Sequence, residues 1–236
     1  YSKGVFDLTS PLTIEIPPNN GPYMSLYAID QDQYSLAMIY PDTNQTISVT
    51  FIYDENNNQN GNGNGNGNDN TNKIIYSYTK YIAIVIRTLA NPHDEADMSR
   101  ARELQEKITY SQPSRTENFN VPNWDTDSMV KVSNAIAQLE PFIESGTRLF
   151  GFRGDHDETA HLIGIAVGYG GLPVEFASYK LFYPSSEGLN SDSVYKIIVK
   201  DVPIRSGGFW SITVYNTNGF LEFNTMDSYS HNSLTA

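Results

Sequence analysis

The densest group of side chains able to do chemistry is Asp155, His156, Asp157, Glu158 and His161, two imidazoles and three carboxylates within seven residues. If a helix begins near Asp157, Glu158 and His161 stand three residues apart on one face, the spacing by which a carboxylate and an imidazole reach a common metal ion. His156, Glu158 and His161 are therefore the candidate metal ligands, and a carboxylate- or metal-assisted hydrolase is the catalytic reading they allow. The plainer alternative is an acidic helix start that satisfies its own N–H groups. It is favoured because carboxylate-bridged sites repeat the motif, and nothing else in this chain does. Cysteine is absent, which removes thiolate ligands, Cys nucleophiles and disulfides. No Gly-x-Ser-x-Gly elbow occurs, and His93, His156, His161 and His231 have no partner that spacing identifies.

A second set of residues suits binding better than catalysis. Arg87 follows the most apolar run of the chain, so its guanidinium needs a carboxylate, carbonyls or a ligand anion. An internal ion pair with Asp94, Glu95 or Asp30 is preferred, and a ligand carboxylate or phosphate is the functional alternative. In the segment Phe209–Tyr215, strand parity puts Trp210, Ile212 and Val214 on one face, read as core. Ser211, Thr213 and Tyr215 share the other, a hydroxyl and aromatic row that stacks on sugar rings, meets a partner or lies under a helix. Asn44-Gln-Thr46 matches a glycosylation acceptor, weak evidence in so Asn-rich a chain.

The elements that must position these groups follow from hydrophobic period. Leu12, Ile14 and Ile16 alternate with polar residues, as do Ile47, Val49, Phe51 and Tyr53; Tyr23–Asp30 follows a turn. Tyr81–Ile86 is unbroken and reads as a central strand covered on both faces. The 17 positions from Asn56 to Asn72 hold ten Asn and four Gly and read as a disordered insertion at the tip of a strand connection. It lacks P-loop spacing. Asn91-Pro92 then caps a helix running to about Lys107, with Met98, Ala101, Leu104 and Ile108 on one face. A second helix is predicted over Thr126–Leu139 and a third over Asp157–Val167. Strands are expected again at Ala177–Tyr183, Val194–Val199, Phe209–Tyr215 and, after Asn218-Gly219, Phe220–Phe223. The order strands, helices, strands argues for α+β organisation and against a doubly wound parallel sheet.

Composition sets outer bounds. The chain has 236 residues, 39% hydrophobic and 12% aromatic, enough for a core. A net charge of −12 disfavours phosphate backbones and anionic lipid, so nucleic acid is not an expected partner. No apolar run is long enough for a membrane span.

Two stretches carry a recognisable pattern. Gly4 to Pro18 reads Gly-Val-Phe-Asp-Leu-Thr-Ser-Pro-Leu-Thr-Ile-Glu-Ile-Pro-Pro; Gly21-Pro-Tyr-Met-Ser-Leu-Tyr-Ala-Ile-Asp30, Ile86-Arg-Thr-Leu-Ala-Asn-Pro-His-Asp94 and Arg102-Glu-Leu-Gln105 follow. This part resembles domain of unknown function 1254. Gly170-Gly-Leu-Pro-Val-Glu-Phe-Ala-Ser-Tyr179 with Phe209-Trp-Ser-Ile-Thr-Val-Tyr-Asn-Thr-Asn-Gly-Phe-Leu-Glu-Phe-Asn224 is similar to domain of unknown function 1214. The tandem resemblance implies jelly-roll-like β-sandwich units, often exported, with no defined reaction. Pro22 stands where the family usually has Arg, Asp227-Ser-Tyr229 where it has Asn-Arg-Tyr, and Pro184–Gly188 shortens an Asp-rich turn.

The expected organisation is a β-sandwich domain over 1–112, a helical connector over 113–160 and a β domain over 161–236. The last is expected to lack the family's final strands, making the chain a fragment. The expected function is a non-catalytic binding module for a small or glycan-like molecule, or a homo-oligomeric assembly protein. Arg87, Ser211, Thr213 and Tyr215 are its candidate contacts, and no organic cofactor is implied.

Overall fold

The computed structural model describes residues 1–55, 71–114, 122–144, 148–179, 194–202, 204, 208–216, 220–226 and 228–233. Over these residues it is mainly β with three α-helices. In chain order the elements are β1 (Ser2–Asp7), β2 (Leu12–Ile16), β3 (Met24–Asp30), β4 (Ser35–Ile39), β5 (Ile47–Tyr53), β6 (Asn72–Ser77) and β7 (Tyr81–Thr88). They continue as α1 (Glu95–Glu106), β8 (Thr109–Ser111), α2 (Thr126–Ala137), α3 (Glu158–Val167), β9 (Ser211–Thr213) and β10 (Ser230–Asn232). Two compact units emerge, one of residues 1–89 with 99–178 and the other of 90–98 with 179–236.

The first unit holds two four-stranded sheets, ordered β1-β7-β3-β4 and β6-β5-β2-β8. Alternation explains their packing. Leu12, Ile14 and Ile16 on β2 and Ile47, Val49 and Phe51 on β5 point the same way across an antiparallel ladder. They meet Leu26 and Ala28 of β3 and Ile82, Ile84 and Ile86 of β7 in one core. β7 lies inside its sheet, as its apolar run predicts, yet only one face is fully buried; Ala83 and Val85 on the other are half-covered. The expectation of cover on both faces is corrected accordingly.

The Asn/Gly stretch lies between β5 and β6, and its residues 56–70 are outside the described residues. β5 and β6 are parallel, paired from Ser48↔Asn72 to Tyr53↔Ser77. The link between them therefore joins opposite ends of the pair, a separation of about 17 Å for five strand rises.

α2 and α3 match their predicted positions, whereas α1 starts at Glu95, later than the Asn91-Pro92 cap expected, because the Asp94 side chain accepts from the Ala96 N–H and takes the capping place. Asp125 caps α2, accepting a hydrogen bond from the Ser128 N–H, and Asp157 caps α3, accepting from the Thr159 and Ala160 N–H groups. α2 rests on α3 through the Ser133 hydroxyl, which donates to the Ala166 carbonyl at 3.1 Å. No helix among the described residues is long and apolar enough to cross a membrane.

In the second unit the predicted strands shrink. Of Phe209–Tyr215 only Ser211–Thr213 is a strand, paired with Ser230–Asn232. Residues 194–199 and 220–223 form no strand, and most are well exposed, Phe223 at 84%. Residues 177–179 are not a strand either, and 180–183 with Asn218-Gly219 lie outside the described residues.

Candidate functional site: a cleft beside the β3–β4 turn

The site starts from a tight turn. β3 ends in Asp30 and β4 begins at Ser35, with the Asp30 N–H donating to the Tyr34 carbonyl at 3.0 Å and the Gln33 N–H to the Asp30 carbonyl at 3.1 Å. Gln33 takes the left-handed conformation this loop requires, φ 67°, where glycine is the usual choice. Its side-chain oxygen accepts from the Gly170 N–H at 2.9 Å, which ties the turn to a second chain segment.

That segment runs from Leu149 to Gly171 and includes α3. The Ser35 N–H donates to the Gly151 carbonyl at 2.8 Å, so residues 151–152 cover the start of the edge strand β4. Close backbone approach requires small residues there. A Cβ on Gly164 would sit 2.9 Å from Leu149 atoms, and one on Gly171 would overlap the Phe150 ring at 2.2 Å. Tyr27 from β3 donates its hydroxyl to the Gly171 carbonyl at 2.7 Å.

Charge is concentrated where turn and segment meet. Asp30, whose side chain is fully covered, accepts from the Tyr34 N–H at 2.9 Å and from Arg153 Nη2 at 2.8 Å. The same nitrogen donates to Asp32 at 3.0 Å. Burial pushes the Asp30 carboxyl above the usual carboxylate range, against the opposing pull of Arg153 and the Tyr34 N–H. For Arg153 burial works against the charge too, but its bonds to Asp30 and Asp32 outweigh it and raise its pKa. Burial decides for the covered carboxylate and pairing for the guanidinium, which keeps a solvent-facing side.

Aromatic rings complete the wall. Arg153 lies 3.9 Å from the centroid of Tyr34, whose ring stacks on His161 at 4.1 Å. His156 is 4.7 Å from His161 and 5.4 Å from Tyr34. Burial, and next the Glu158 charge, raise the Tyr34 phenol pKa. The resulting open cleft has a volume of about 520 Å³ and is lined by Asp32, Tyr34, Arg153, Glu158, Thr159, His161, Leu162 and Ile165.

The structure brings part of the predicted cluster together. Glu158 and His161 do share a face of α3 and both line the cleft. His161, however, turns Nδ1 to the Leu149 carbonyl at 3.1 Å and Nε2 to the Asp32 carbonyl at 2.8 Å. Carbonyls only accept and a neutral imidazole carries a single N–H, so one of the two contacts is a donated hydrogen bond; with both nitrogens facing the main chain, the ring clamps α3 to the turn and offers no nitrogen to a metal. His156 has both nitrogens buried without a hydrogen-bond partner, and burial, followed by the nearby His161, lowers its pKa. Among the described residues no group of three or more His, Asp or Glu is placed to hold a metal ion.

The binding candidates lie elsewhere. Arg87, on β7, stands 5.4 Å from the Tyr1 ring centroid, and Asp30, offered as its partner, belongs to Arg153. Ser211 and Thr213 are on the short β9; Tyr215 lies beyond it, 57% exposed. Trp210, read as core, is half-buried with its ring 6.1 Å from that of His231, and Val214, assigned to the same face, is 65% exposed. Sequence reasoning missed Arg153, Asp32 and Tyr34 as site residues. An acidic pair in a two-strand turn was the visible signal; its cation lies 123 residues away.

Comparison with known proteins gives this fold a context. Residues 1–112 match the family described as Protein of unknown function (DUF1254). That match covers β1 to β8, including the turn that carries Asp30, Asp32 and Tyr34. A solved structure, the VPA0106 protein from Vibrio parahaemolyticus, aligns over 99% of this chain and 72% of its own at a TM-score of 0.69 and 15% identity, which shows a shared fold. No curated protein matches the sequence.

Proposed function

We propose that the protein is a non-catalytic binding module whose ligand, a small polar or glycan-like molecule, is held in the cleft beside the β3–β4 turn. The cleft is of small-molecule size and combines fixed charges of both signs with an apolar wall. One observation carries the non-catalytic reading. The imidazole lining the cleft has both nitrogens on main-chain carbonyls, which makes it a clamp and leaves no free imidazole to act as a base beside the ligand. The same bonds weigh against the metal-assisted hydrolase. The similarity of residues 160–236 to domain of unknown function 1214, and a tandem jelly-roll arrangement with export or oligomeric assembly, belong to this proposal as well.

A thermal-shift screen of monosaccharides, uronic acids, amino acids and short carboxylic acids tests it. At least one class raises the melting temperature of the parent protein and fails to raise that of Leu162→Lys, which places a cation on the cleft wall. A silent screen, or steady turnover of ester or glycoside substrates by the purified protein, contradicts it.

A further inference from the structure

Resting on the reading of the cleft as a small-molecule site, we infer that its ligand class is a small zwitterion with an aliphatic tail, of the α-amino acid type. Three kinds of group converge there, and each excludes a simpler ligand. The first is cationic: Arg153 meets Asp30 at 2.8 Å and Asp32 at 3.0 Å, both through Nη2. Neither carboxylate engages Nη1, and a guanidinium has donors to spare for a ligand carboxylate.

The second is anionic. Asp32 and Glu158 line the cleft as two carboxylates against the one guanidinium of Arg153, with Asp30 fully buried behind it, and the side chain of Asp32 is 57% exposed. That surplus repels a simple carboxylic acid and attracts an ammonium group. A bare alkylamine is opposed in turn by Arg153, so a molecule carrying both charges satisfies the cleft best.

The third is apolar. Glu158, Leu162 and Ile165 recur at i, i+4 and i+7 on α3, and all three line the cleft. Leu162 is 51% exposed. Four residues of helix rise set the backbone positions of Glu158 and Leu162 about 6 Å apart along the axis, so an ammonium at Glu158 leaves a branched aliphatic chain to run over Leu162 and Ile165. A sugar ring is poorly served, because Arg153 at 3.9 Å and His161 at 4.1 Å already occupy Tyr34.

The test is isothermal titration of the full chain with three probes sharing one tail: leucine, isoamylamine, which lacks the carboxylate, and 4-methylpentanoate, which lacks the amine. Leucine is expected to bind at least about tenfold more tightly than either, the factor one lost charged contact represents. Glu158→Gln, at an exposed position that leaves the core intact, weakens leucine and isoamylamine at least about fivefold and leaves 4-methylpentanoate within about twofold. Equal affinities for the three probes, or a Glu158→Gln variant that binds leucine as the parent does, overturn the inference. If a sugar or carboxylic acid occupies the cleft and leucine does not, the binding function stands and the zwitterion class falls. If no compound binds in either experiment, both fall.

Discussion

The region from β1 to β8 and the region from Val194 to Ser233 carry the same kind of sequence, short alternating stretches of Ile, Val, Phe, Tyr and Thr, and they end differently. The first closes into two four-stranded sheets around a shared core in which Leu12, Leu26, Val49 and Phe51 are fully covered. The second, among its described residues, yields a pair of three-residue strands, with Val194 fully exposed and Phe220 and Met226 at 70% and 82%. Alternation makes a segment able to be a strand, but each strand of the first region also has a ladder partner and an opposing sheet to bury against. The candidate site follows the same division. The cleft is built on the region with buried anchors, where Asp30 can fix Arg153 and the ring clamp can hold α3.

The widest separation is expected from truncating a large ring in each region. Phe51→Ala removes a fully buried ring and should cost about 3–5 kcal/mol in urea unfolding. Phe223→Ala removes one that is 84% exposed and should stay within about 0.5 kcal/mol. Similar losses at the two positions would erase the contrast.

Next in size is the anchor of the cleft. Asp30→Ala takes from Arg153 its buried partner and leaves it only the exposed Asp32, which should cost about 1–3 kcal/mol, with the under-paired charge as the cause. Adding Arg153→Met should recover part of that loss, and a double variant no better than the single one would show that the pair does not act together. Gly171→Ala, whose new methyl overlaps Phe150, should cost about 1–3 kcal/mol and loosen the contact with the Tyr27 hydroxyl.

The smallest expected effect is a pH dependence. The folded pKa of His156 lies below its ordinary 6.5, so at pH values between the two the unfolded chain binds more protons. Stability from this group is full above 6.5 and is lost as pH falls through that window. The parent should therefore lose more melting temperature between pH 7.5 and 5.5 than His156→Leu. Asp30 acts with the opposite sign, because its folded pKa is raised and acidification relieves the cost of its burial. Parallel profiles for parent and His156→Leu would show that His156 is not the titrating group.

What the sequence revealed depends on where a strand sits. The strands named from periodicity, β2, β3, β5 and β7, are the interior strands of the two sheets; the edges β1, β4, β6 and β8 were not individually recognised. Interior strands must present a continuous apolar face, whereas an edge such as β1 tolerates Lys3 and Gly4, and Thr109–Ser111 is too short to show a period. The helices were legible from apolar residues recurring at three or four positions, such as Met98, Ala101 and Leu104 on α1, although the start of α1 at Glu95 was set by Asp94 and not by Asn91-Pro92. The cleft was legible only in Glu158 and His161, which share a helix. Arg153 meets Asp30 and Asp32 through folding alone, and no local pattern records that meeting.

The most direct test of the account is a ¹⁵N chemical-shift map of the protein titrated with the compound giving the largest thermal shift. The expected result is a perturbation confined to Asp32, Tyr34, Arg153, Glu158, Thr159 and Leu162, with Ser211–Tyr215 unmoved. Shifts centred on Ser211, Thr213 and Tyr215 would move the binding site to the other unit and contradict the account.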